Sequence, residues 1–300
     1  MRVLLPASVL ATALLAGCAS LPQAAAPAPA VSVRAANTAA QLPPPDDSLN
    51  ATAWFQSVER DLVFREIYRA AGLQLDAALA DPVWDALPKD DRAGDPAALP
   101  PAIIVDVDET VLDNSPSQVR QIRAGGEFNE ADWAQWVDER VAKPLPGARE
   151  FLDAAAAKGV TVFYISNRGA ESADATVANL RQAGFPIAGA DQFLGKGTPV
   201  AECVQHGSEK SCRRQLVGRR YRVLMQFGDQ VGDFVALPDN SPVGRRAAIA
   251  PYLDWIGQRW WALPNPVYGS WETALFGNDR NQPAAARRAA KEAALDAADQ

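Results

Sequence analysis

The sequence predicts an α/β protein built on a central parallel sheet, and three observations carry that prediction. Short, continuous apolar runs recur at Ala102-Ile103-Ile104-Val105, Val160–Ile165 and Arg222–Phe227, as strands covered on both faces require. Segments of helical character lie between them, over 146–158, 172–183 and about 209–219. Each apolar run gives way to a polar cluster, and in open α/β sheets ligands gather at the carboxyl ends of strands.

In chain order, Met1-Arg2 and the apolar run Val3–Leu15 read as a secretion leader, too short to span a bilayer. Its end, Leu15-Ala16-Gly17-Cys18, resembles the lipobox of bacterial lipoproteins. That likeness implies cleavage after residue 17, lipidation of Cys18 and a lipid anchor in the membrane. Ala19 follows the cysteine where an aspartate would signal inner-membrane retention, so the implied address is the outer membrane, facing the periplasm. Residues 19–47 are rich in Ala and Pro and suit an extended tether. The main domain is expected over 48–278, with a core from about 100–114 and 144–250 and a mainly helical cap from about 48–99, 115–143 and 251–278. Asp47-Ser48 opens a helix with a stripe through Trp54, Val58, Leu62, Ile67 and Tyr68, and a Pro-rich break follows over 81–101. Residues 279–300 read as a charged, solvated helix or tail.

Composition narrows the chemistry. The single histidine, His206, would have to serve any Ser-His-Asp triad or His-ligated zinc, and three cysteines cannot form a four-thiolate site. Acidic residues outnumber basic ones 36 to 29, for a net charge of -7, which argues against a partner that is a nucleic-acid polymer. Chemistry is expected to rest on carboxylates.

Three clusters follow the apolar runs: Asp106-Val107-Asp108-Glu109-Thr110 (continuing to Ser115), Ser166-Asn167-Arg168, and Gly228-Asp229-Gln230-Val231-Gly232-Asp233. Singly they read as an acidic turn, a helix N-cap and a simple turn. Together and in this order, with Lys210, they resemble the four motifs of the haloacid dehalogenase superfamily of phosphotransferases. The likeness is closer to one branch, the class C nonspecific acid phosphatases and lipoprotein 5′-nucleotidases with their four aspartates. The stretches 133–139 and 263–272 carry it too, and it spans about residues 48–275.

That resemblance implies a haloacid dehalogenase-like core and a phosphomonoesterase. Phosphoryl transfer needs an in-line nucleophile, a proton for the leaving oxygen and positive charge on the phosphoryl oxygens. The family pattern assigns the nucleophile to Asp106 and the general acid/base to Asp108. It also implies Mg²⁺ held by Asp106, the backbone carbonyl of Asp108 and Asp229, with Asp233 supporting, and phosphate held by Ser166, Asn167 and Lys210. Lys196 is the other lysine in the interval, and Lys210 is preferred because it stands at a helix start before an arginine pair. A proton donor of ordinary carboxylate acidity implies an acidic working pH. Trp133 and Tyr268 take the place of the family's nucleotide-stacking aromatics, with Trp136 as alternative. The implied substrates are nucleoside monophosphates, nicotinamide mononucleotide and aryl phosphates. A non-nucleotide ester such as a sugar phosphate is the runner-up, and a surface lipoprotein without turnover is the non-enzyme alternative. Trp255, Trp260 and Trp261 read as core or interface aromatics. Cys203 and Cys212 remain after lipidation of Cys18, and whether they pair is left open by the spacing. Monomer and dimer both fit the sequence. Phosphatase assays of Lys210→Ala and Lys196→Ala test the lysine assignment: Lys210→Ala is expected to lose activity, and the reverse outcome overturns it.

Overall fold

Continuous apolar runs place three strands at the middle of one sheet, because only strands covered on both sides can be apolar at every position. The computed structural model describes residues 48–296, so Cys18, the leader and the tether lie outside the described residues. From Ser48, α1 (Leu49–Phe55) and α2 (Val58–Ala80) lead through a turn-rich stretch into β1 (Pro101–Val105). A small antiparallel pair, β2 (Leu112–Asp113) with β3 (Lys143–Pro144), brackets α3 (Ser115–Ala124) and α4 (Glu130–Glu139). Strands and helices then alternate through α5 (Ala148–Ala157), β4 (Thr161–Gly169), α6 (Ala173–Gln182), β5 (Phe193–Lys196), α7 (Ser211–Gly218) and β6 (Arg222–Gly228). The chain finishes through α8 (Val231–Phe234), α9 (Pro242–Ile249), β7 (Trp260–Ala262), α10 (Ser270–Thr273) and α11 (Ala284–Ala293).

The main sheet has the order β5-β4-β1-β6-β7, with every pairing parallel. Side-chain alternation divides β1 between two cores. Ile103 and Val105 face one side with Tyr68, Phe151 and Leu180, whereas Ala102 and Ile104 face the other with Val217 and Trp260. On the first side Tyr68 of α2 stacks on Phe227 of β6 at 5.3 Å, and Phe151 of α5 meets the same ring at 5.0 Å. The chain leaves β1 toward β4 on one flank and later returns to β6 on the other. The carboxyl end of β1 is therefore the topological switch point, where a crevice opens.

The predicted α/β parallel fold is the one observed, with local differences, among them that Val58 and Leu62 of the expected helical stripe are exposed while Phe64, Tyr68 and Leu75 form the buried face of α2. Strand β4 runs through Ser166-Asn167-Arg168 to Gly169, so this cluster belongs to a strand end, and the next helical turns start beyond it. Trp260 and Trp261 form a fifth strand that a three-residue run could not announce. Segments 48–99 and 251–278, expected in the cap, contribute α2 to the sheet's helical cover and β7 to the sheet itself. The stretch read as a solvated helix or tail does form a helix, α11, but one tied down by its charges: Arg287 pairs with Glu127 at 2.6 Å and Lys291 with Glu272 at 2.9 Å.

Arg222 shows how a charged strand residue is accommodated inside. α2 starts cleanly, with Ser57 Oγ accepting the Arg60 N–H at its N-cap. At its other end the last carbonyls have no helical partner. Arg222 Nη1 donates to the oxygens of Ala78 at 3.0 Å and Asp81 at 2.6 Å, and Nη2 donates to Leu79 O at 3.1 Å. Helix and sheet are thereby tied by one buried cation at the negative end of the helix dipole. Arg222→Met is expected to lower unfolding free energy by about 3 kcal/mol in urea titrations; a loss below about 1 kcal/mol would remove Arg222 from this role.

Candidate active site

The first cluster gets its shape from the β1 terminus. The Asp106 N–H donates to Phe227 O at 2.9 Å, which continues the β1–β6 ladder one residue past the strand. The chain then folds back: the N–H groups of Val111 and Leu112 donate to Val107 O at 3.0 and 2.9 Å. Glu109 closes this loop in the left-handed region at φ 55°, an uncommon conformation for a non-glycine residue. The Tyr68 hydroxyl donates to Thr110 O at 2.7 Å, and Thr110 Oγ1 donates to Asp106 Oδ2 at 3.2 Å. Asp106 is thus held in a buried position at the switch point.

The third cluster meets it from β6. A Cβ at Gly228 would overlap the Asp233 carboxylate, so glycine is what lets Asp233 fold back against the strand end. Asp233 Oδ2 accepts the Gln230 N–H at 2.8 Å, and Asp229 Oδ2 accepts from Gln230 Nε2 at 2.8 Å and Asn265 Nδ2 at 2.7 Å. Lys210, the N-cap residue of α7, brings a buried ammonium to Asp106 Oδ1 and to Asp233 Oδ1, the latter at 2.7 Å. Arg213 and Arg214 anchor that helix start: Arg213 donates to Ser166 O and to Asn167 Oδ1 at 3.0 Å, and Arg214 to Asp233 O at 3.1 Å. Lys196 sits exposed at the end of β5.

Carboxylate oxygens of Asp106, Asp229 and Asp233 lie within 4.8 Å of one another. Burial pushes the Asp106 carboxyl up to about 7, with the Lys210 ammonium opposing and Asp233 and Asp108 adding to the rise. Asp229 is likewise held well above the carboxylate range by burial, then by Asp233 and Asp106. Burial pulls the Lys210 ammonium down, but the charges of Asp106 and Asp233 outweigh it and leave it raised. Fully ionised, three carboxylates against one ammonium leave two uncompensated negative charges. An all-oxygen donor set with that residual charge fits a hard divalent cation.

Asp108 stands apart from that cluster. Its Oδ1 accepts from Arg168 Nε at 2.9 Å and Asn114 Nδ2 at 2.8 Å, and Arg168 Nη2 lies 2.8 Å away. Its Oδ2 faces Ser166 Oγ at 3.3 Å. Arg168 and Asn114 escaped attention in the sequence because their partner is 60 residues away for the arginine and hidden in an acidic run for the asparagine. Their place inside two of the quoted motifs was the available signal.

A cleft of about 1130 Å³ opens above these groups, lined by Asp106, Asp108, Asn167, Lys210, Trp133 and Tyr268 among others. Trp133 and Tyr268 are both partly buried on its walls, and the Tyr268 hydroxyl bonds Glu109 Oε2. Trp136 is buried and gives its indole N–H to Asn114 Oδ1 at 2.7 Å, so it packs the cap from behind. Ser166 is fully buried beside Asp108, and Asn167 is exposed toward the cleft. Cys203 and Cys212 are joined by a disulfide across the loop that ends at α7, and His206 is exposed within it.

Known proteins resemble this chain in sequence and in fold. The family HAD superfamily, subfamily IIIB (acid phosphatase) matches residues 74–271. The structure of the class C acid phosphatase from Bacillus anthracis is similar with a TM-score of 0.72 at 31% identity, covering 86% of this chain and 100% of that one. The same enzyme's crystal structure with tungstate bound gives a TM-score of 0.73 at 31% identity and the same coverage. Among curated relatives, the stem 31 kDa glycoprotein of Glycine max is 26% identical over 166 residues, 55% of this chain and 58% of that protein. Acid phosphatase 1 of Solanum lycopersicum is also 26% identical over 166 residues, 55% of this chain and 57% of that protein. The chain thus spans less than two thirds of the length of these curated relatives. With a family match over most of the described residues and a structural match along its length, the chain belongs to the subfamily IIIB acid phosphatases of the HAD superfamily.

Proposed function

We propose that this protein is a divalent-cation-dependent phosphomonoesterase that works through an aspartyl-phosphate on Asp106. The observation that carries the proposal is the buried Asp106 carboxylate at the switch point, beside Lys210 and facing the cleft. In the first step an Asp106 carboxylate oxygen forms a bond to phosphorus while the bond to the ester oxygen breaks, and Asp108 gives that oxygen its proton. In the second, Asp108 takes a proton from water, whose oxygen bonds phosphorus and releases Asp106. Lys210, the Ser166 hydroxyl and Asn167 hold the phosphoryl oxygens. Asp106 and Asp229 would hold the cation with Asp233 supporting, and Mg²⁺ is the ion that suits oxygen ligands and phosphate best. When bound it supplies positive charge to the phosphoryl oxygens and relieves the repulsion between the carboxylates.

The size of the cleft and the partly buried Trp133 and Tyr268 support planar leaving groups, namely nucleoside monophosphates, nicotinamide mononucleotide and aryl phosphates. The lipobox-like Leu15–Cys18 supports an envelope lipoprotein facing the periplasm, and the Cys203–Cys212 disulfide agrees with an oxidising compartment.

A panel of phosphate esters, assayed with Mg²⁺ and with chelator, tests the reading. Wild type is expected to release phosphate from nucleoside monophosphates only with the cation, and Asp106→Asn to lose at least about 10³-fold. Release from no ester would refute the enzyme. Calorimetric titration with Mg²⁺ tests the cation site separately: Asp233→Asn is expected to bind about 10- to 100-fold more weakly, and unchanged affinity would remove Asp233 from it.

A further inference from the structure

We infer that Arg168, braced by Asn114 and through it by Trp136 of the cap, is a positioning residue that fixes which oxygen of Asp108 carries the proton to the leaving group. The inference rests on the reading of Asp108 as general acid and goes beyond it, since that reading leaves the carboxyl free to rotate.

Asp108 projects from a loop one residue past Val107, and nothing in the loop backbone fixes its terminal torsion, which for a carboxyl group is broad and two-fold. The surrounding side chains do fix it. The donors converge on one oxygen: Arg168 Nε at 2.9 Å and Asn114 Nδ2 at 2.8 Å both donate to Oδ1, and Arg168 Nη2 is ion-paired with the same oxygen at 2.8 Å. Among the described residues the other oxygen, Oδ2, accepts only from the Ser166 hydroxyl, at 3.3 Å, the group proposed to touch the phosphoryl oxygens. An oxygen that already accepts these bonds has no room for a proton, so the proton resides on Oδ2, the oxygen on the Ser166 side of a carboxyl that lines the cleft.

The brace is itself rigid. Arg168 is buried at 3% exposure, and its Nη1 donates to Thr176 Oγ1 at 3.3 Å. Its Nη2 also reaches Asn114 Oδ1 at 3.2 Å. Asn114 Oδ1 accepts in addition the Trp136 indole N–H at 2.7 Å, which orients the amide so that Nδ2 points to Asp108. The Arg168 guanidinium lies 5.5 Å from the Trp133 ring, so the aromatic wall of the cleft rests on the same group. Arg168 touches neither the phosphoryl group nor the leaving oxygen in this scheme. It acts by orienting Asp108 so that the P–O bond breaks as the leaving oxygen takes the Oδ2 proton, while Oδ1 keeps its two hydrogen bonds and the guanidinium charge for the carboxylate that results.

The test exploits leaving-group dependence, which a merely structural role would not produce. A 2,4-dinitrophenolate departs without a proton, whereas a nucleoside alkoxide requires one. For wild type, Arg168→Met, Trp136→Phe and Asp108→Asn, kcat/KM is measured on 2,4-dinitrophenyl phosphate and on adenosine 5′-monophosphate, with Mg²⁺ present and folding checked by circular dichroism. The ratio of kcat/KM values is expected to shift against the nucleotide by at least about tenfold in Arg168→Met and by about two- to fivefold in Trp136→Phe, with the largest shift in Asp108→Asn. If Asp108→Asn shifts the ratio and folded Arg168→Met does not, the positioning inference fails alone. If Asp108→Asn itself leaves the ratio unchanged, the general-acid reading fails and the inference falls with it. Should Arg168→Met not fold, Trp136→Phe, which removes the N–H that orients Asn114 along with part of a buried ring, decides the matter by the same ratio provided circular dichroism shows it folded.

Discussion

Lys210 brings one positive charge to a point where two buried carboxylates and a third, half-buried one converge. Removing ionised groups from water is costly, and the cost is recovered only by partners placed at short range. Much of the architecture around the site serves that placement. The β1–β6 ladder extends to the Asp106 amide, Gly228 makes room for the Asp233 carboxylate, and Arg213 and Arg214 pin the helix start that carries Lys210. The ammonium cannot balance the cluster alone. The remaining negative charge makes this a place where a dication and then a phosphate can be received in turn, with the protein's own dipoles already oriented.

A second, separate balance holds Asp108. Its neutralising partner is Arg168, which comes from β4, not from the helix that supplies Lys210. The two carboxylates two residues apart in sequence thus belong to different electrostatic environments, one crowded with like charges and the other paired. That separation is how neighbouring groups of the same type can be given different chemical tasks. It also explains why the cap matters below its surface: Trp136 reaches Asp108 through Asn114, and Trp133 rests on Arg168.

Much of this was legible in the sequence because burial on both faces of a parallel sheet writes itself as uninterrupted apolar runs. Those runs located β1, β4 and β6, and with them the ends that carry Asp106, Ser166 and Asp229. β7 was not legible, since Trp260-Trp261-Ala262 is too short to show a period, and only its place beside β6 makes it a strand. Arg168 stands in a legible motif, but its partner is not legible, because Asp108 lies 60 residues away in the chain. The charged face of α11 looked solvated for the same reason: Glu127 and Glu272 lie distant in sequence and adjacent in space. Spacing could not decide the Cys203–Cys212 pairing, which depends on the fold of the intervening loop.

The proposed mechanism requires a covalent bond from phosphorus to one residue, Asp106. Enzyme mixed with excess phosphate ester and Mg²⁺, quenched in acid during turnover and reduced with borohydride, should yield a peptide modified at position 106 alone. The unreduced sample should carry one phosphoryl group per chain on the same peptide. A phosphoryl group trapped on any other side chain, His206 included, would contradict the account. So would a single turnover that releases phosphate while Asp106 stays unmodified at every quench time.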